Sequence, residues 1–388
     1  NNSLGDISKR PPRKKIRLGY YSADFHNHAT AYLMAELFEL HDRDAFELIA
    51  FSFGPDRSDE MRKRISAGFD SFYDVRDQSD QQIAEMSREM EIDIAIDLKG
   101  YTTDYRAGIF ACRAAPVQVS YIGFPGTMGA QYIDYMIADP VMIPEQSQSF
   151  YSEKVVYMPD SYQVNDRKRV IADTHFSREQ LGLPINGFVF CCFNNNDKLT
   201  PAVFDIWMRL LARVPDSVLW LLEDNDRVAS NLRKEAQARG IASERLVFAP
   251  RMPLPEHLAR HRAADLFLDT LPYNAHTTAS DALWAGLPVL TCMGEAFAAR
   301  VAGSLLHAMG LQELVTEDLQ RYEQLAIELA THPTKLALVR QKLLANRLTT
   351  ALFDTTRFTR HLESAYRSMM DRYYSDLAPD HIYVQRLA

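Results

Sequence analysis

A histidine, two threonines and an aspartate lie close together within residues 265–291. This run is typical of a strand, a loop, a helix and a second strand, and Thr278-Ala-Ser-Asp281 fits a capping box at the start of the helix. His276, Thr277 and Thr278 would then lie where free backbone N–H groups and the helix dipole favour an anion. The segment suits a phosphate or diphosphate, with Asp281 accepting from ribose hydroxyls; the alternative is a helix cap without a ligand.

Two more loops that follow strand-like segments carry candidate binding residues. Asn195 and Lys198 lie in the first loop, and Lys198 could neutralise a departing phosphate as a compact charge. A lone lysine is more often solvated, and asparagines at 194–196 are more often turn formers. His257 and Arg260 lie in the second loop and the helix after it. The alternative there is a surface histidine in a first helical turn.

The N-terminal half offers a possible base and a glycine-rich loop. His28 ends the His26-Asn-His28 run after the first predicted strand, and histidine can act as a general base near neutral pH. A turn histidine is the alternative, and no further ligands stand nearby for a metal site. The loop 123–129, which contains Gly126 and Thr127, permits close backbone approach to a ligand. It matches neither a dinucleotide fingerprint nor a P-loop, which argues against those enzyme classes.

Strand-like and helix-like segments alternate along most of the chain, which indicates parallel sheets covered by helices on both faces. The alternation weakens between about residues 139 and 186 and then resumes. We therefore predict an α/β protein with two doubly wound domains and a ligand site in the cleft between them, beyond the carboxyl ends of the strands. The predicted boundaries are 1–15 for a tail or junction, 16–165 and 166–345 for the domains, and 346–388 for a helical segment packing across both. The predicted strands are 16–22, 46–53, 71–75, 92–98, 117–121, 188–193, 218–222, 246–249, 266–269 and 289–292.

Composition excludes several classes of protein. The 388 residues include 43 basic and 51 acidic side chains, and a net charge of −8 argues against a general nucleic-acid binder. The basic run 10–17 is expected to be a solvated tail. Four cysteines without CxxC spacing indicate reduced thiols in a cytoplasmic protein. The sequence shows neither an apolar run long enough to cross a bilayer nor a signal-peptide pattern.

Taken together, these loops resemble the catalytic region of the O-GlcNAc transferase family, including its bacterial members. The resemblance runs from about Ile16 to His381. It is carried by Ser22-Ala-Asp-Phe-His-Asn-His28, Lys99-Gly-Tyr-Thr102, Gly123-Phe-Pro-Gly-Thr127, Asp197-Lys198, Pro255-Glu-His257, Asn274-Ala-His-Thr-Thr-Ala-Ser-Asp281, Leu283-Trp-Ala-Gly-Leu-Pro288, Gly294-Glu295 with Arg300, and Pro379-Asp-His-Ile382.

The resemblance implies a GT-B fold, in which two Rossmann-like domains face a cleft and the second mainly holds the donor. It implies inverting transfer of N-acetylglucosamine from UDP-GlcNAc to Ser or Thr of a protein, without a metal or other cofactor. The single Asp224-Asn-Asp226 triplet, which could hold a metal–diphosphate, would then be only an acidic turn. The family's tetratricopeptide repeats would lie before residue 1. The alternatives are another sugar or acceptor, or a UDP-binding scaffold without turnover.

The resemblance also implies roles for single residues. Lys198 is similar to the lysine on the UDP phosphates and His257 to a histidine near the nucleotide. Thr277 and Thr278 match hydroxyls at the diphosphate, and Asp281 matches the acid on the ribose.

On the acceptor side, His28 matches the histidine proposed as general base, a role that another group or water could take instead. The chain departs from animal relatives at four positions: Asn195 replaces Gln, Asp197 replaces Tyr, Leu254 replaces Lys and Asp93 replaces a second histidine. These departures affect the expected uracil and acceptor contacts more than the diphosphate site.

Overall fold

The computed structural model describes residues 4–387, which form two compact units. The chain up to Lys168, together with the chain from Ala351 onward, forms the first unit, and Arg169–Thr350 form the second. The boundaries predicted from the sequence lie close to these divisions but join the C-terminal segment to neither domain. Its packing across both domains stays a prediction, and residues 1–3 of the predicted tail lie outside the described part of the chain.

The first unit is built on an eight-stranded sheet in which all paired strands run parallel. Its central strands are buried on both faces, which explains why they read as continuous apolar runs. With strands numbered along the chain, the members are β1 (Ile16–Ser22), β2 (Phe46–Ser52), β3 (Ser71–Asp74), β4 (Ile94–Asp97), β5 (Val117–Ser120), β6 (Tyr135–Ala138), β7 (Lys154–Tyr157) and β14 (Ile382–Tyr383). Their order across the sheet is β14-β7-β6-β5-β4-β1-β2-β3.

Helices of the first unit begin where side chains satisfy free backbone N–H groups. Ser79 and Gln82 form a complete capping box at the start of α3, and Asp59 caps α2. The helices are α1 (Ala29–Leu40), α2 (Glu60–Ala67), α3 (Asp80–Glu89), α4 (Gly108–Ala111) and α12 (Thr355–Tyr374). Short 3-10 helices cover Glu145–Phe150 and Ala351–Phe353.

The second unit has a six-stranded parallel sheet with the order β10-β9-β8-β11-β12-β13. The strands are β8 (Val189–Cys192), β9 (Val218–Leu222), β10 (Leu246–Ala249), β11 (Leu266–Leu268), β12 (Val289–Cys292) and β13 (Val315–Thr316). The helices are α5 (Pro201–Arg213), α6 (Asp226–Ala238), α7 (Leu254–Arg260), α8 (Thr277–Ala285), α9 (Val301–Ala308), α10 (Leu319–Thr331) and α11 (Pro333–Asn346). Short 3-10 helices cover Glu179–Leu181, Asn196–Lys198, Ser243–Arg245, His261–Ala263, Phe297–Ala299 and Gln312–Leu314.

The predicted α/β class with two doubly wound sheets is confirmed. The strand order of the second unit is that of a Rossmann fold, and the first unit repeats this order before adding further strands at one edge. The basic run 10–17 is not a solvated tail, because Arg10 and Arg13 pair with Glu91 and Arg17 pairs with Glu47. Between residues 4 and 387, no helix combines the length and apolar character needed to cross a bilayer.

Candidate functional site

Each sheet has one place where the strand order reverses direction. In the first unit this place lies between β1 and β4, and in the second between β8 and β11. The loops after two such strands leave in opposite directions, which opens a crevice at the carboxyl edge of the sheet. Lys198 and His276 lie in the loops after β8 and β11, and His28 lies in the loop after β1.

Asp269 organises the loop after β11. Its carboxylate is buried, and Oδ1 accepts hydrogen bonds from the backbone nitrogens of Thr270 at 2.7 Å and Ala275 at 2.5 Å. The other oxygen, Oδ2, accepts from Thr291 Oγ1 at 2.6 Å. Burial raises the pKa of Asp269 to about 6, against the opposing effect of these donors and of Lys198. The carboxylate thus ties both ends of the loop to the neighbouring strand.

Lys198 reaches across to this loop from the end of β8. Its Nζ donates to the backbone oxygen of Asn274 at 2.9 Å and lies 4.0 Å from the centre of the Tyr273 ring. Burial lowers the pKa of Lys198 to about 8, while the charge of Asp269 opposes this shift. The side chain is therefore a half-buried cation at the reversal point, not a solvated surface lysine.

The predicted capping box at the start of α8 is wrong. The helix begins at Thr277, so Thr278 lies inside the first turn, and His276 at the cap position makes no side-chain cap. Thr278 Oγ1 donates instead to Asn194 Oδ1 across the loops. Asp281 has a tertiary partner of its own. The backbone N–H groups of this first turn are thus left for another acceptor.

His276 is held as a neutral ring. The ring packs at 4.9 Å between centres against Tyr273, and its Nε2 lies 3.3 Å from the backbone oxygen of Ala298. A carbonyl only accepts, so Nε2 carries the hydrogen and Nδ1 is the acceptor. Burial lowers the pKa of His276 to about 3, with a further contribution from the Lys198 charge.

Asp281 forms a buried ion pair with Arg169. Arg169 Nη1 donates to Asp281 Oδ1 at 2.5 Å and Nη2 donates to Ser280 Oγ at 3.2 Å. Burial raises the pKa of Asp281 to about 6, with Arg169 opposing. Arg169, which was not predicted from the sequence, thus holds the Asp281 carboxylate in place. The contact of Asp281 with a ribose stays a prediction.

His257 and Arg260 form one unit on α7. Arg260 Nη2 donates to His257 Nδ1 at 2.7 Å, while Nη1 donates to the Pro250 oxygen at 2.5 Å. Burial lowers the pKa of His257 to about 2, so the ring is neutral and must carry its hydrogen on Nε2. The Arg260 guanidinium is buried and holds His257 in place, and its contact with a ligand stays a prediction. Asn195 is exposed at the opposite loop, and its backbone oxygen accepts from Lys198 N at 3.1 Å.

The reversal point of the first unit holds a second polar cluster. Lys99 Nζ, after β4, donates to Asp24 Oδ2 at 2.7 Å, and both side chains are buried. His28 caps α1 by accepting at Nδ1 from Thr30 N at 3.2 Å, and Asp24 Oδ2 lies 3.6 Å from the same nitrogen. Burial lowers the pKa of His28 below its ordinary value, with Asp24 opposing. His28 is therefore a neutral, part-exposed histidine at neutral pH.

The glycine-rich loop after β5 is shaped by packing. A side chain at Gly123 would place Cβ only 2.3 Å from the backbone oxygen of Leu98, so glycine is required there. At Gly126 the nearest atom is the Phe124 ring at 3.4 Å. Thr127 Oγ1 donates to buried Glu153 at 2.6 Å. Donor contacts by Gly126 and Thr127 stay predictions.

The Asp224-Asn-Asp226 triplet joins the loop after β9 to the start of α6. Asp224 accepts from Arg251 at 2.9 Å and from Asn196 N at 3.1 Å, and the Asn225 side chain caps α6. Across residues 4–387, no three His, Cys, Asp or Glu side chains are grouped so that they could hold a metal ion.

Sequence reasoning missed three residues that shape the site in the second unit: Asp269, Asn194 and Arg169. Asn194, taken as a turn former, is buried, and its Nδ2 donates to Thr270 Oγ1 at 2.8 Å. Polar residues just after the ends of β8 and β11 were the available signal for Asn194 and Asp269. No sequence signal pairs Arg169 with Asp281.

Comparison with known proteins gives a consistent family. Residues 6–176 and 174–362 match the description Glycosyl transferase family 41. A probable UDP-N-acetylglucosamine–peptide N-acetylglucosaminyltransferase of Arabidopsis thaliana, SEC, is 40% identical over 96% of this chain and 39% of its own length. A UDP-N-acetylglucosamine–peptide N-acetylglucosaminyltransferase of Caenorhabditis elegans is 28% identical over 95% of this chain and 42% of its length. The chain thus spans less than half of these relatives.

Among solved structures, a mutant O-GlcNAc transferase of Thermobaculum terrenum superposes with a TM-score of 0.86 at 33% identity, covering 94% of this chain and 69% of that one. The Anabaena protein HepE in complex with UDP-glucose has a TM-score of 0.61 at 15% identity over 91% of this chain and 100% of its own, which shows a shared fold. The predicted GT-B class of two Rossmann-like domains in one chain is confirmed by these neighbours.

Proposed function

Because the chain belongs to glycosyl transferase family 41, we propose that it transfers N-acetylglucosamine from UDP-N-acetylglucosamine to Ser or Thr hydroxyls of a protein or peptide. The names of the relatives support this substrate pair. The observation that carries the proposal is the position of Lys198. Its ammonium group donates to Asn274 in the loop after β11, and the same loop leads into the uncapped start of α8. This arrangement suits an anion.

The donor diphosphate would bind at the start of α8. As the bond between the sugar and UDP breaks, negative charge grows on the leaving phosphate oxygen. Lys198 and the first-turn N–H groups, with the Thr277 hydroxyl nearby, favour that charge more strongly than they favour the ground state. Nδ1 of His276 can accept a hydrogen bond and Nε2–H of His257 can donate one, which suits contacts with the nucleotide and its sugar.

We propose that the reaction is an inverting displacement that needs no metal. The acceptor oxygen forms a bond to the anomeric carbon on one face, while the carbon–oxygen bond to UDP breaks on the other. The acceptor hydroxyl gives up its proton, and UDP leaves with the bonding electron pair. A lysine and a helix N-terminus supply the positive charge that a divalent ion would otherwise supply.

His28 is the proposed base, and its geometry sets a condition on that role. A base must present an unprotonated nitrogen, but the hydrogen bond from Thr30 N to Nδ1 places the ring hydrogen on Nε2. Nε2 becomes able to accept a proton when Nδ1 carries the hydrogen and turns it towards Asp24, 3.6 Å away. If His28 does not take this form, its Nε2–H donates a hydrogen bond to the hydroxyl of the peptide substrate, and water or another group takes the proton.

Calorimetric titration with UDP and UDP-N-acetylglucosamine in EDTA tests the donor site. We expect metal-free binding that Lys198→Ala weakens by roughly 10- to 100-fold, the loss typical of a hydrogen bond to a charged group. Lys234→Ala, an exposed lysine on α6, is the matched control and should bind like the wild type. Absence of UDP binding by the folded wild-type chain overturns the donor assignment. Binding that appears only after Mg²⁺ or Mn²⁺ is added overturns metal independence.

A transfer assay then distinguishes enzyme from scaffold. Labelled UDP-N-acetylglucosamine and UDP-glucose are each incubated with Ser- and Thr-containing peptides, and product is measured for wild type and Lys198→Ala. We expect transfer from the N-acetylglucosamine donor, with turnover reduced in the variant by more than its stability. Equal losses of turnover and stability contradict the catalytic role of Lys198.

A further inference from the structure

The loop from Thr270 to His276 is held by a single buried carboxylate. Thr270 and Ala275 stand at opposite ends of the loop, and both donate their backbone N–H to Oδ1 of Asp269. Oδ2 is held by the Thr291 hydroxyl on β12, and the backbone oxygen of Asp269 accepts from Tyr322 at 2.9 Å. The carboxylate therefore determines where the loop ends and where α8 begins.

Asp269 is also the buried carboxylate whose charge acts most strongly on Lys198. The direct partners of the Lys198 ammonium group are the Asn274 carbonyl and the Tyr273 ring, and neither carries a formal charge. A half-buried ammonium group without a counter-charge loses its proton readily. The attraction between Lys198 and Asp269 opposes that loss.

The other titratable groups near Lys198 do not supply its counter-charge. Cys192 stays neutral because burial raises its pKa to about 12, and His276 stays neutral because burial lowers its pKa to about 3. Asp197 acts on Lys198 more weakly than Asp269 and lies exposed to water, where its field is screened.

We propose that Asp269 is the positioning residue of the donor site: it shapes the loop that presents the start of α8 and supplies the counter-charge that keeps Lys198 protonated. The proposal rests on the proposed binding of a nucleoside diphosphate at Lys198. Asp269 itself does not contact the ligand, and it acts through the loop and through the lysine.

Two variants distinguish the effect of Asp269 on the loop from the effect of its charge on Lys198. Asp269→Asn keeps the size of the side chain, since the amide oxygen can accept from Thr270 and Ala275 while the Thr291 hydroxyl turns to accept from Nδ2. It removes only the charge. Asp269→Glu keeps the charge, but its extra methylene cannot preserve both backbone hydrogen bonds.

UDP affinity is measured by calorimetry between pH 6 and 9 for the wild type and each variant. The ratio of variant to wild-type affinity cancels the titration of the UDP phosphate. Loss of the Asp269 charge lowers the pKa of Lys198 further from about 8. For Asp269→Asn we expect near-equal binding at pH 6 and about fivefold to tenfold weaker binding at pH 8.5. For Asp269→Glu we expect weaker binding at every pH with a flat ratio.

Asp265→Asn is the matched control. Asp265 precedes the same strand at its opposite end, where it pairs with Arg178 and Arg340, so its loss should change stability but leave a flat ratio. A flat ratio for Asp269→Asn, or the same slope for Asp265→Asn, overturns the charge role. If Asp269→Asn does not fold, Asp269→Glu decides, and unchanged UDP affinity in that variant overturns the positioning role. Failure of the wild type to bind UDP overturns the proposed function instead.

Discussion

At the scale of single residues, the two reversal points use the same physical device in different ways. Each brings a lysine of one loop near a buried carboxylate of another loop at the carboxyl edge of the sheet. In the first unit Lys99 and Asp24 form a direct ion pair, whereas in the second Lys198 donates to the backbone oxygen of Asn274 and interacts with Asp269 through its charge. The charge of Lys99 is thus balanced by a carboxylate in direct contact, whereas the hydrogen-bond partner of Lys198 is an uncharged carbonyl. This difference agrees with the proposed binding of the UDP diphosphate at Lys198.

Lys99→Met tests whether His28 acts as a base. Burial lowers the pKa of His28 from 6.5, Asp24 opposes that shift, and Lys99 and His26 add to it. Removing the Lys99 charge raises the pKa of His28, so more of it is protonated at a given acidic pH. If neutral His28 takes the acceptor proton, the acid limb of turnover moves to higher pH by roughly half to one unit.

The measurement is the pH profile of turnover, with the imidazole titration of His28 followed by NMR in parallel. Lys63→Met, on the exposed face of α2, is the control and should leave both curves in place. A raised pKa of His28 without movement of the acid limb excludes His28 as the base and favours its role as a hydrogen-bond donor to the peptide hydroxyl.

Residues whose type is common in catalytic and binding sites, such as lysine and histidine, could be picked out from the sequence. Residues whose role depends on contacts formed in the folded chain could not. Lys198 and His257 follow strands at the predicted edge, and the structure places both there. Arg169 acts on Asp281, which is 112 residues away in sequence, so no local spacing reveals it. Asp269 lies directly after β11, a position that could have been singled out. The structure adds a contact for Arg260 that the sequence did not predict, since its guanidinium donates to His257.

At the scale of elements, strand existence was predicted well where a strand forms part of an uninterrupted alternation with helices. The bounds of β1, β9, β10 and β12 agree with the prediction. β6 was missed, because it is four residues long and is followed directly by Asp139-Pro140 instead of a helix. The start of α8 was predicted wrongly, because a capping-box pattern considers only nearby residue types, whereas the Thr278 hydroxyl donates to Asn194 in another loop.

The glycine-rich loop after β5 gives a matched pair of alanine variants. Gly123→Ala forces Cβ against the Leu98 backbone, which cannot move without disturbing β4, so we expect a loss of about 3 kcal/mol. Gly126→Ala meets only ordinary contact with the Phe124 ring and should change stability by less than about 0.5 kcal/mol. Chemical denaturation measures both.

The same pair separates packing from ligand contact. If the Gly126 backbone approaches the donor, Gly126→Ala weakens binding of UDP-N-acetylglucosamine while stability is kept. Equal stability losses at the two positions contradict the packing argument, and unchanged donor binding in Gly126→Ala removes that residue from the predicted site.

At the scale of the whole molecule, the first unit is interrupted by the second. Its chain leaves after Lys168 and returns at Ala351. The returning helix α12 supplies buried side chains to the first unit, including Leu362, Tyr366 and Met369. Glu363 accepts from His41 Nδ1 at 3.0 Å and from Asp42 N at 2.8 Å, which fixes α12 at the end of α1. The amphipathic pattern of the sequence predicts a terminal helix but not which unit it completes.

This connectivity predicts unequal behaviour of fragments. Arg169–Thr350 contain a complete sheet with helices on both faces, so this fragment should fold alone and bind UDP. Residues up to Lys168 should not fold alone, since each lost apolar side chain of α12 removes about 1.5–3 kcal/mol from a total of about 5–15 kcal/mol. Joining them to the chain from Ala351 onward through a flexible Gly/Ser linker should restore cooperative unfolding, measured by circular dichroism. A first fragment that unfolds cooperatively without α12 contradicts this account, because the helix would then be an attachment to a core that is complete without it.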